Sequence, residues 1–267
     1  MTWGVEHLSV RFGDRSALED VALAIVPGEV HAVIGGDGAG KSTLMRVVAG
    51  LNLRQTGTVQ LPPPHRIGFV PSTGGIFKDL TVDENLEFVA DAYRLHGWRP
   101  RAVALCARAG LEHVGGRLAA ALSGGEQRKL AGTMSMLHEP ELLVFDEVTN
   151  GVDPVSRMEL WRLMTTAMAS GTAVVMTTTY LEEAERAATV LILHEGRVLA
   201  SGPPGDIVAG TPGTVRELAA PTNRTTAWRH GSRWRQWEPD GSSAASGPIT
   251  LEDAAIVREL MATGRAV

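Results

Sequence analysis

Short apolar runs at extended spacing dominate the first 70 residues. Runs of this kind, bounded by turn residues, predict β-strands. The predicted strands cover residues 5–10, 21–25, 30–34, 58–61 and 67–70. One helix is predicted among them, over residues 42–49, because Gly50 is typical of a helix C-terminus.

The pattern becomes helical after Pro71. Apolar side chains recur at helical spacing from residue 82 to about 95, and Thr81 with Glu84 predicts a capping box at the start of that helix. A second helix is predicted over residues 101–109. Ser123 with Glu126 predicts another capping box, which begins a third helix toward residue 138. We therefore expect residues 72–138 to form a helical insertion between strands.

Strands and helices alternate from residue 142 onward. Residues 142–145 are wholly apolar, and Asp153 followed by Pro154 predicts an N-cap with proline at the first helical position. Strands are predicted over 142–145, 172–177, 190–193 and 197–200, and helices over 154–169 and 181–188. Such alternation predicts a parallel sheet covered by helices on both faces.

Pro203 and Pro204 mark a predicted domain boundary. The chain would then divide into a main domain, residues 1–204, and a small α+β extension, residues 205–267. In the extension, residues 225–229 and 234–237 predict a strand pair, and residues 251–261 predict a closing helix. The Ser/Ala/Gly-rich residues 241–247 predict a flexible loop.

The composition of the chain disfavours several kinds of protein: disulfide-linked, membrane-spanning, nucleic-acid-binding and zinc-binding. The chain has 267 residues, a net charge of −5 and a single cysteine. An internal disulfide is impossible, and Cys106 is interpreted as a packing residue. No apolar run approaches the ~18 residues that span a bilayer, nor is a secretory signal predicted. The acidic balance disfavours nucleic-acid binding, so we interpret the Trp/Arg-rich residues 228–237 as a strand pair. The scattered histidines predict no zinc site.

Residues 35–43 read GGDGAGKST and match the phosphate-loop pattern. The context fits, because a predicted strand precedes the run and a predicted helix follows it. Glycines let successive backbone N–H groups turn toward phosphate oxygens, and the helix N-terminus favours the same anion. Lys41 would reach the terminal phosphates and Ser42 would offer a hydroxyl to Mg²⁺. The nucleotide-binding candidates are Gly35, Gly36, Asp37, Gly38, Ala39, Gly40, Lys41, Ser42 and Thr43.

Two carboxylates follow the apolar residues 142–145. Ligands bind at the carboxyl edge of sheets of this kind. We expect Asp146 to hold Mg²⁺ and Glu147 to orient and deprotonate the attacking water in a phosphate hydrolysis. Without a phosphate loop, an acidic turn after a buried strand would be the simpler interpretation.

Residues 122–127 read LSGGEQ and allow two interpretations. The first is a capping box with flexible glycines. The second is a phosphate grip, in which Ser123, Gly124, Gly125 and Glu126 at a helix N-terminus face a nucleotide held by another subunit.

Taken together, these motifs resemble the nucleotide-binding domain of ATP-binding-cassette (ABC) proteins over residues 5–202. GGDGAGKST resembles the Walker A loop, LSGGE the signature and LLVFDE the Walker B strand, and residues 150–154 (NGVDP) resemble the D-loop. Phe12 stands at the place of the aromatic residue that stacks on adenine. The layout of linker and tail, including LEDA at residues 251–254, is similar to that of subunits of bacterial multidrug exporters.

The resemblance implies an α/β fold: a P-loop NTPase core of ABC ATPase type with an antiparallel β subdomain and a helical subdomain. It implies ATP and Mg²⁺ as cofactors and a second ABC ATPase domain, identical or different, that meets this one head to tail. It also implies transmembrane permease subunits, contacted around residues 72–80, and a place on the cytoplasmic face of the membrane. The activity implied is ATP hydrolysis coupled to export.

Two positions depart from the family pattern. Ser72 stands where a glutamine helps to coordinate Mg²⁺, and Thr179 stands where a histidine contacts the γ-phosphate. Serine is shorter than glutamine, and threonine cannot carry positive charge. We therefore expect this site to bind Mg-ATP and to hydrolyse it slowly.

Three functions remain open from the sequence. They are an ATP-hydrolysing subunit of an exporter, a non-transport ABC protein of translation or repair, and a regulatory module that binds ATP with little turnover. The single cassette without a coiled-coil pattern disfavours the second. Glu182, Glu183 and Glu185 are interpreted as a solvated helix face.

Overall fold

The computed structural model describes residues 2–239, 241 and 247–264. Its strands are β1 (Trp3–Phe12), β2 (Arg15–Ile25), β3 (Val30–Ile34), β4 (Gln55–Gln60), β5 (Ile67–Val70), β6 (Leu142–Phe145), β7 (Ala173–Thr177), β8 (Thr189–His194), β9 (Arg197–Gly202), β10 (Thr214–Leu218), β11 (Ala227–His230) and β12 (Arg233–Glu238). Its helices are α1 (Lys41–Val48), α2 (Val82–Ala92), α3 (Arg99–Arg108), α4 (Gly124–Met136), α5 (Pro154–Ala169), α6 (Leu181–Ala184), α7 (Pro204–Ala209) and α8 (Leu251–Ala262).

A mixed sheet of six strands, in the order β5-β6-β7-β3-β8-β9, forms the centre of the molecule. The first five strands are parallel and β9 pairs antiparallel with β8. Every residue of β3, β6 and β7 is buried, as expected for strands covered on both faces. The predicted α/β fold is confirmed, and the order brings the carboxyl ends of β6, β7 and β3 side by side.

The two faces of this sheet build two separate parts of the core. Leu143 and Phe145 pack into the cluster that contains α2, α4 and α5, whereas Leu142 and Val144 pack toward α1 and β1–β2. This division follows from the alternation of side chains along a strand. A second sheet, which is antiparallel and has the order β2-β1-β4, covers the face of the central sheet on which α1 packs.

Helices α2, α3 and α4 all lie between β5 and β6, where the sequence pattern predicts three helices. Thr81 and Glu84 form a full capping box at α2, and Ser123 and Glu126 form one at α4. Cys106 is buried in α3, and burial raises the pKa of its thiol to about 11. Within the described part of the chain, no helix combines the length and the apolarity that a membrane crossing requires.

The C-terminal part contains a three-stranded sheet in the order β10-β12-β11, on which α8 packs. The predicted pairing of the two Trp-rich strands is confirmed, and β10 is a strand that the sequence pattern did not predict. Val215, Trp237 and Val257 form a small core of their own, but Ile207 and Leu251 pack into the main core. The predicted loop over residues 241–247 lies outside the described residues except at its two ends.

Candidate functional site

The phosphate loop connects β3 to α1 and needs glycine at defined positions. Gly35 has φ 148° and Gly40 has φ 104°, in the region that side chains disfavour. A Cβ on Gly35 would lie 2.1 Å from the carbonyl oxygen of Leu193, and a Cβ on Gly40 would lie 2.6 Å from that of Ala17. Local close packing therefore fixes glycine at both ends of the loop.

Lys41 begins α1 and is buried beneath the loop. Its Nζ donates hydrogen bonds to the carbonyl oxygens of Gly35 (2.8 Å) and Gly36 (3.0 Å). Gly40 precedes the helix and supplies no side-chain cap. The first N–H groups of a helix have no acceptor within it, and here no capping side chain takes that place. They are therefore available to an anion.

Asp146 and Glu147 lie directly after β6, beside the loop. Asp146 is buried and accepts a hydrogen bond from the hydroxyl of Thr177 (2.9 Å), which in turn accepts one from the Glu147 N–H (2.7 Å). Glu147 has φ 55°, a conformation that costs a non-glycine residue energy and is held by its surroundings. Its Oε1 lies 3.8 Å from Lys41 Nζ, so the predicted base faces the phosphate loop.

A cleft of about 340 Å³ opens over the loop, with Phe12 half-exposed at its rim. Arg15, Ser16 and Ala17 also line this cleft, although the sequence interpretation had not included them. Its remaining lining residues are Asp37, Gly38, Ala39, Gly40, Lys41, Ser42, Thr43 and Glu147. A larger cleft of about 430 Å³ lies elsewhere, beside the ion pair of Arg101 and Glu139, and contains none of the predicted site residues.

The donor set of the site fits Mg²⁺ better than a softer metal. Ser42 offers a hydroxyl in the cleft, and Asp146 offers a carboxylate at the neighbouring strand end. Mg²⁺ prefers one or two such oxygen ligands, with phosphate oxygens and water completing its shell. Ser72 lies two residues beyond β5 at the same edge of the sheet and is not among the residues that line the cleft.

Thr179 follows β7 and is exposed. Its hydroxyl donates to Asn150 Oδ1 at 3.0 Å. It lines a neighbouring cleft of about 240 Å³ together with Gly35 and Gly36, and none of these three residues lines the cleft that contains Phe12 and Glu147. That Thr179 takes the place of the family's γ-phosphate histidine stays a prediction.

The LSGGE residues begin α4, away from the phosphate cleft. Ser123 Oγ accepts from the Glu126 N–H (3.2 Å), and the Ser123 N–H donates to the Glu126 carboxylate (2.7 Å), which lowers the carboxyl pKa. A Cβ on Gly125 would lie 2.6 Å from Ser156 Oγ, so this glycine allows α4 to approach α5. The capping interpretation is confirmed, while the phosphate grip stays open because the described cleft lining does not include these residues.

Glu183 corrects the sequence interpretation, which placed it on a solvated face. It is only 3 % exposed, and its carboxylate accepts hydrogen bonds from Thr149, Thr178 and Trp161. The neighbouring Glu182 and Glu185 are exposed as predicted. The helical charge pattern could not reveal this, because Thr149 and Trp161 are distant in the sequence.

The known proteins that this chain resembles are components of ABC transporters. A family model described as ABC transporter matches residues 18–150. The Nod factor export ATP-binding protein I of Ralstonia nicotianae is 33% identical over 217 residues, which cover 76% of this chain and 68% of the relative. The daunorubicin resistance ATP-binding protein DrrA3 of Streptomyces coeruleorubidus is 34% identical over 222 residues, covering 78% and 70%.

Solved structures agree with these relatives. One described as the ATP binding subunit of an ABC transporter superposes with a TM-score of 0.72 at 29% identity, covering 78% of this chain and 92% of the other. The similarity therefore extends from the motifs to the arrangement of the whole cassette.

Proposed function

The chain belongs to the ABC transporter family and is an ABC-type ATP hydrolase, and from this premise we propose that it is the ATP-binding subunit of an export transporter. Mg-ATP binding and hydrolysis between two cassettes would drive membrane partner subunits that carry the substrate. The names of two relatives, which concern Nod factor export and daunorubicin resistance, support export as the direction. The subunit would sit on the cytoplasmic face of the membrane through its partners.

The observation that supports this proposal is that the LSGGE residues are not among those that line the cleft over the phosphate loop. The cleft over Lys41 is lined by the β1–β2 hairpin, the phosphate loop and Glu147. Ser123 and Gly124 stand exposed at the start of α4, outside that lining. A second cassette, arranged head to tail, would place its own α4 N-terminus against the open side of the cleft. ATP that contacts both cassettes only in the closed pair would stabilise that pair.

We propose a role for each residue of this site. The glycine amides and Lys41 would hold the triphosphate, and Phe12 would stack on the base. Ser42 and Asp146 would hold Mg²⁺, which neutralises charge on the phosphate oxygens when bound. Glu147 would orient the attacking water and accept its proton. The distance of 3.8 Å between Glu147 Oε1 and Lys41 Nζ supports this role.

We further propose that hydrolysis at this site is slow. Ser72 and Thr179 replace the longer glutamine and the imidazole of the family pattern. In addition, the Thr179 hydroxyl is already bound to Asn150. The intact LSGGE residues would still complete a competent site on a partner cassette, so a heterodimer could retain one fast site.

The membrane partner would contact the residues after β5. Phe77 and Phe88 are about half exposed and lie ring to ring at 4.3 Å. An exposed aromatic pair of this kind supports residues 72–80 as part of the docking surface.

We also propose residues 1–204 as the nucleotide-binding domain and residues 205–267 as an accessory extension. The small separate core of the extension supports this division.

The test combines calorimetry with ATPase measurements on the purified chain and on its assembled membrane complex. We expect Mg-ATP binding in both and faster turnover in the complex. In the purified chain, Glu147→Gln should retain ATP, favour the dimer and abolish turnover. Binding without turnover in either preparation would favour the regulatory module instead. Absence of adenine-nucleotide binding, even with every partner present, would contradict the whole proposal.

A further inference from the structure

Glu183 is a buried carboxylate that receives three hydrogen bonds from uncharged donors. Its Oε2 accepts from the hydroxyls of Thr149 (2.8 Å) and Thr178 (2.5 Å), and its Oε1 accepts from the indole N–H of Trp161 (3.0 Å). All four residues are less than one-tenth exposed. Over the described residues, no Lys, Arg or His nitrogen lies within 4.0 Å of this carboxylate.

Two of the three donors come from the loops that flank the candidate site, and the third, Trp161, lies in α5. Thr149 lies two residues after Glu147, and Thr178 immediately precedes Thr179. The hydroxyl of Thr178 also accepts from the N–H of Tyr180 (3.0 Å), which fixes the start of α6. Glu183 therefore joins the loop after β6 to the loop after β7.

Three consecutive threonines connect these two loops. Thr177 bonds to Asp146 and to the Glu147 N–H, Thr178 reaches Thr149 through Glu183, and Thr179 bonds to Asn150. We call this set of contacts the threonine ladder. Its middle step is buried throughout and is the one in which a single carboxylate accepts from both loops.

The placement of a charge here has a physical reason. Burying a carboxylate is expensive unless its oxygens are fully hydrogen-bonded. An apolar side chain of similar volume would fill the space, but it would not dictate the orientation of two hydroxyls and one indole. A fully satisfied polar network does dictate such orientations.

We propose that Glu183 is a positioning residue for ATP hydrolysis. Its carboxylate holds residues 147–150 in a fixed relation to residues 178–180, so that the Glu147 carboxylate stays directed at the phosphate loop. This inference rests on the proposed role of Glu147 as the base. Glu183 itself is not among the residues that line the cleft over the phosphate loop, so its effect would act through Glu147.

The central test is Glu183→Gln in the full chain, with turnover measured on the purified chain so that only its own phosphate-loop site contributes. The amide keeps the shape, but its NH₂ group cannot accept a hydrogen bond, so at least one donor loses its acceptor. We expect kcat for ATP to fall about 10-fold to 100-fold, since small misplacements of catalytic groups have effects of this size. The dissociation constant for Mg-ATP should stay within about 2-fold, because the phosphate loop is untouched.

Matched variants separate positioning from a merely structural role. Glu185→Gln alters an exposed neighbour on the same segment and should leave kcat unchanged. Thr178→Ser keeps the hydroxyl and should retain most turnover, whereas Thr178→Val should behave like Glu183→Gln. Combining Thr178→Val with Glu183→Gln should add little further loss, because both remove the same contact.

Three outcomes would contradict the proposed role of Glu183. Unchanged kcat in Glu183→Gln would overturn the inference and leave the proposed function intact. If Glu183→Gln lowers the ATP affinity and the melting temperature together with kcat, the residue has a structural role, and the inference is also overturned. Absence of turnover in the wild-type complex would overturn both proposals.

Discussion

The hydroxyl of Thr179 donates a hydrogen bond to Asn150 Oδ1 at 3.0 Å, which joins the loop after β7 to the loop after β6. The exposed position of Thr179 leaves room for a larger side chain. Whether that position limits catalysis can therefore be tested by substitution.

Thr179→His should raise the ATP turnover of the chain roughly 10-fold. An imidazole is longer than a hydroxyl and can donate to a phosphate oxygen, and one pre-organised donor contributes up to about 10²–10³ in rate. Steady-state ATPase assays at saturating Mg-ATP measure the effect. Thr179→Val removes the hydroxyl without adding a donor and should give no increase. Equal or lower turnover in Thr179→His would show that this position is not limiting.

Gly35→Ala should weaken nucleotide binding far more than Gly36→Ala does. The new Cβ at Gly35 would lie 2.1 Å from the Leu193 carbonyl oxygen, whereas a Cβ at Gly36 meets nothing within 4 Å. Backbone strain of this kind costs about 1–3 kcal/mol, which corresponds to a roughly 5-fold to 150-fold loss of affinity. Titration calorimetry with Mg-ATP measures both variants. Equal losses would mean that the loop does not depend on this close approach.

Arg235→Met should destabilise the C-terminal sheet by about 3–5 kcal/mol, because it leaves a buried carboxylate without its cation. Arg235 Nε donates to Asp253 Oδ1 at 3.1 Å, and both side chains are almost fully buried. Chemical denaturation followed by tryptophan fluorescence measures the loss. Arg233→Met removes an exposed ion pair with Glu217 and should cost less than about 1 kcal/mol. Similar small losses in both variants would contradict the prediction.

Stability should fall between pH 6.5 and pH 4 partly because of His138. Burial lowers the pKa of this imidazole from 6.5 to about 4, and its Nε2 lies 3.2 Å from the Ile67 carbonyl oxygen. The folded state keeps the ring neutral while the unfolded chain takes up a proton. The contribution is therefore complete above pH 6.5 and is lost as the pH falls through this window.

His138→Gln measures that contribution. It removes the titration, keeps an N–H donor and should flatten the pH dependence of the free energy of unfolding by about 1–2 kcal/mol, allowing for partial exposure of the ring. His96→Gln alters an exposed histidine and serves as the control. Identical pH profiles for wild type and His138→Gln would contradict the assignment.

Much of the site could be predicted because its signals are local. The phosphate loop lies within nine adjacent residues, 35–43, and each capping box spans four. The predicted helix over residues 181–188 was too long, since only Leu181–Ala184 is helical. Strand β10 was missed because five residues with a mixed pattern give a weak signal, and its pairing with β12 determines it.

The sequence by itself determined the motifs, the fold class and the family resemblance, because these depend on residues that are close together in the chain. Only the tertiary structure decided that Glu183 is buried, that Thr179 binds Asn150 and that Arg15 lines the cleft. Each of those features depends on segments that are far apart in the sequence. Charge and spacing along one segment cannot specify such a contact, since burial and hydrogen bonding depend on the partner that folding brings beside it.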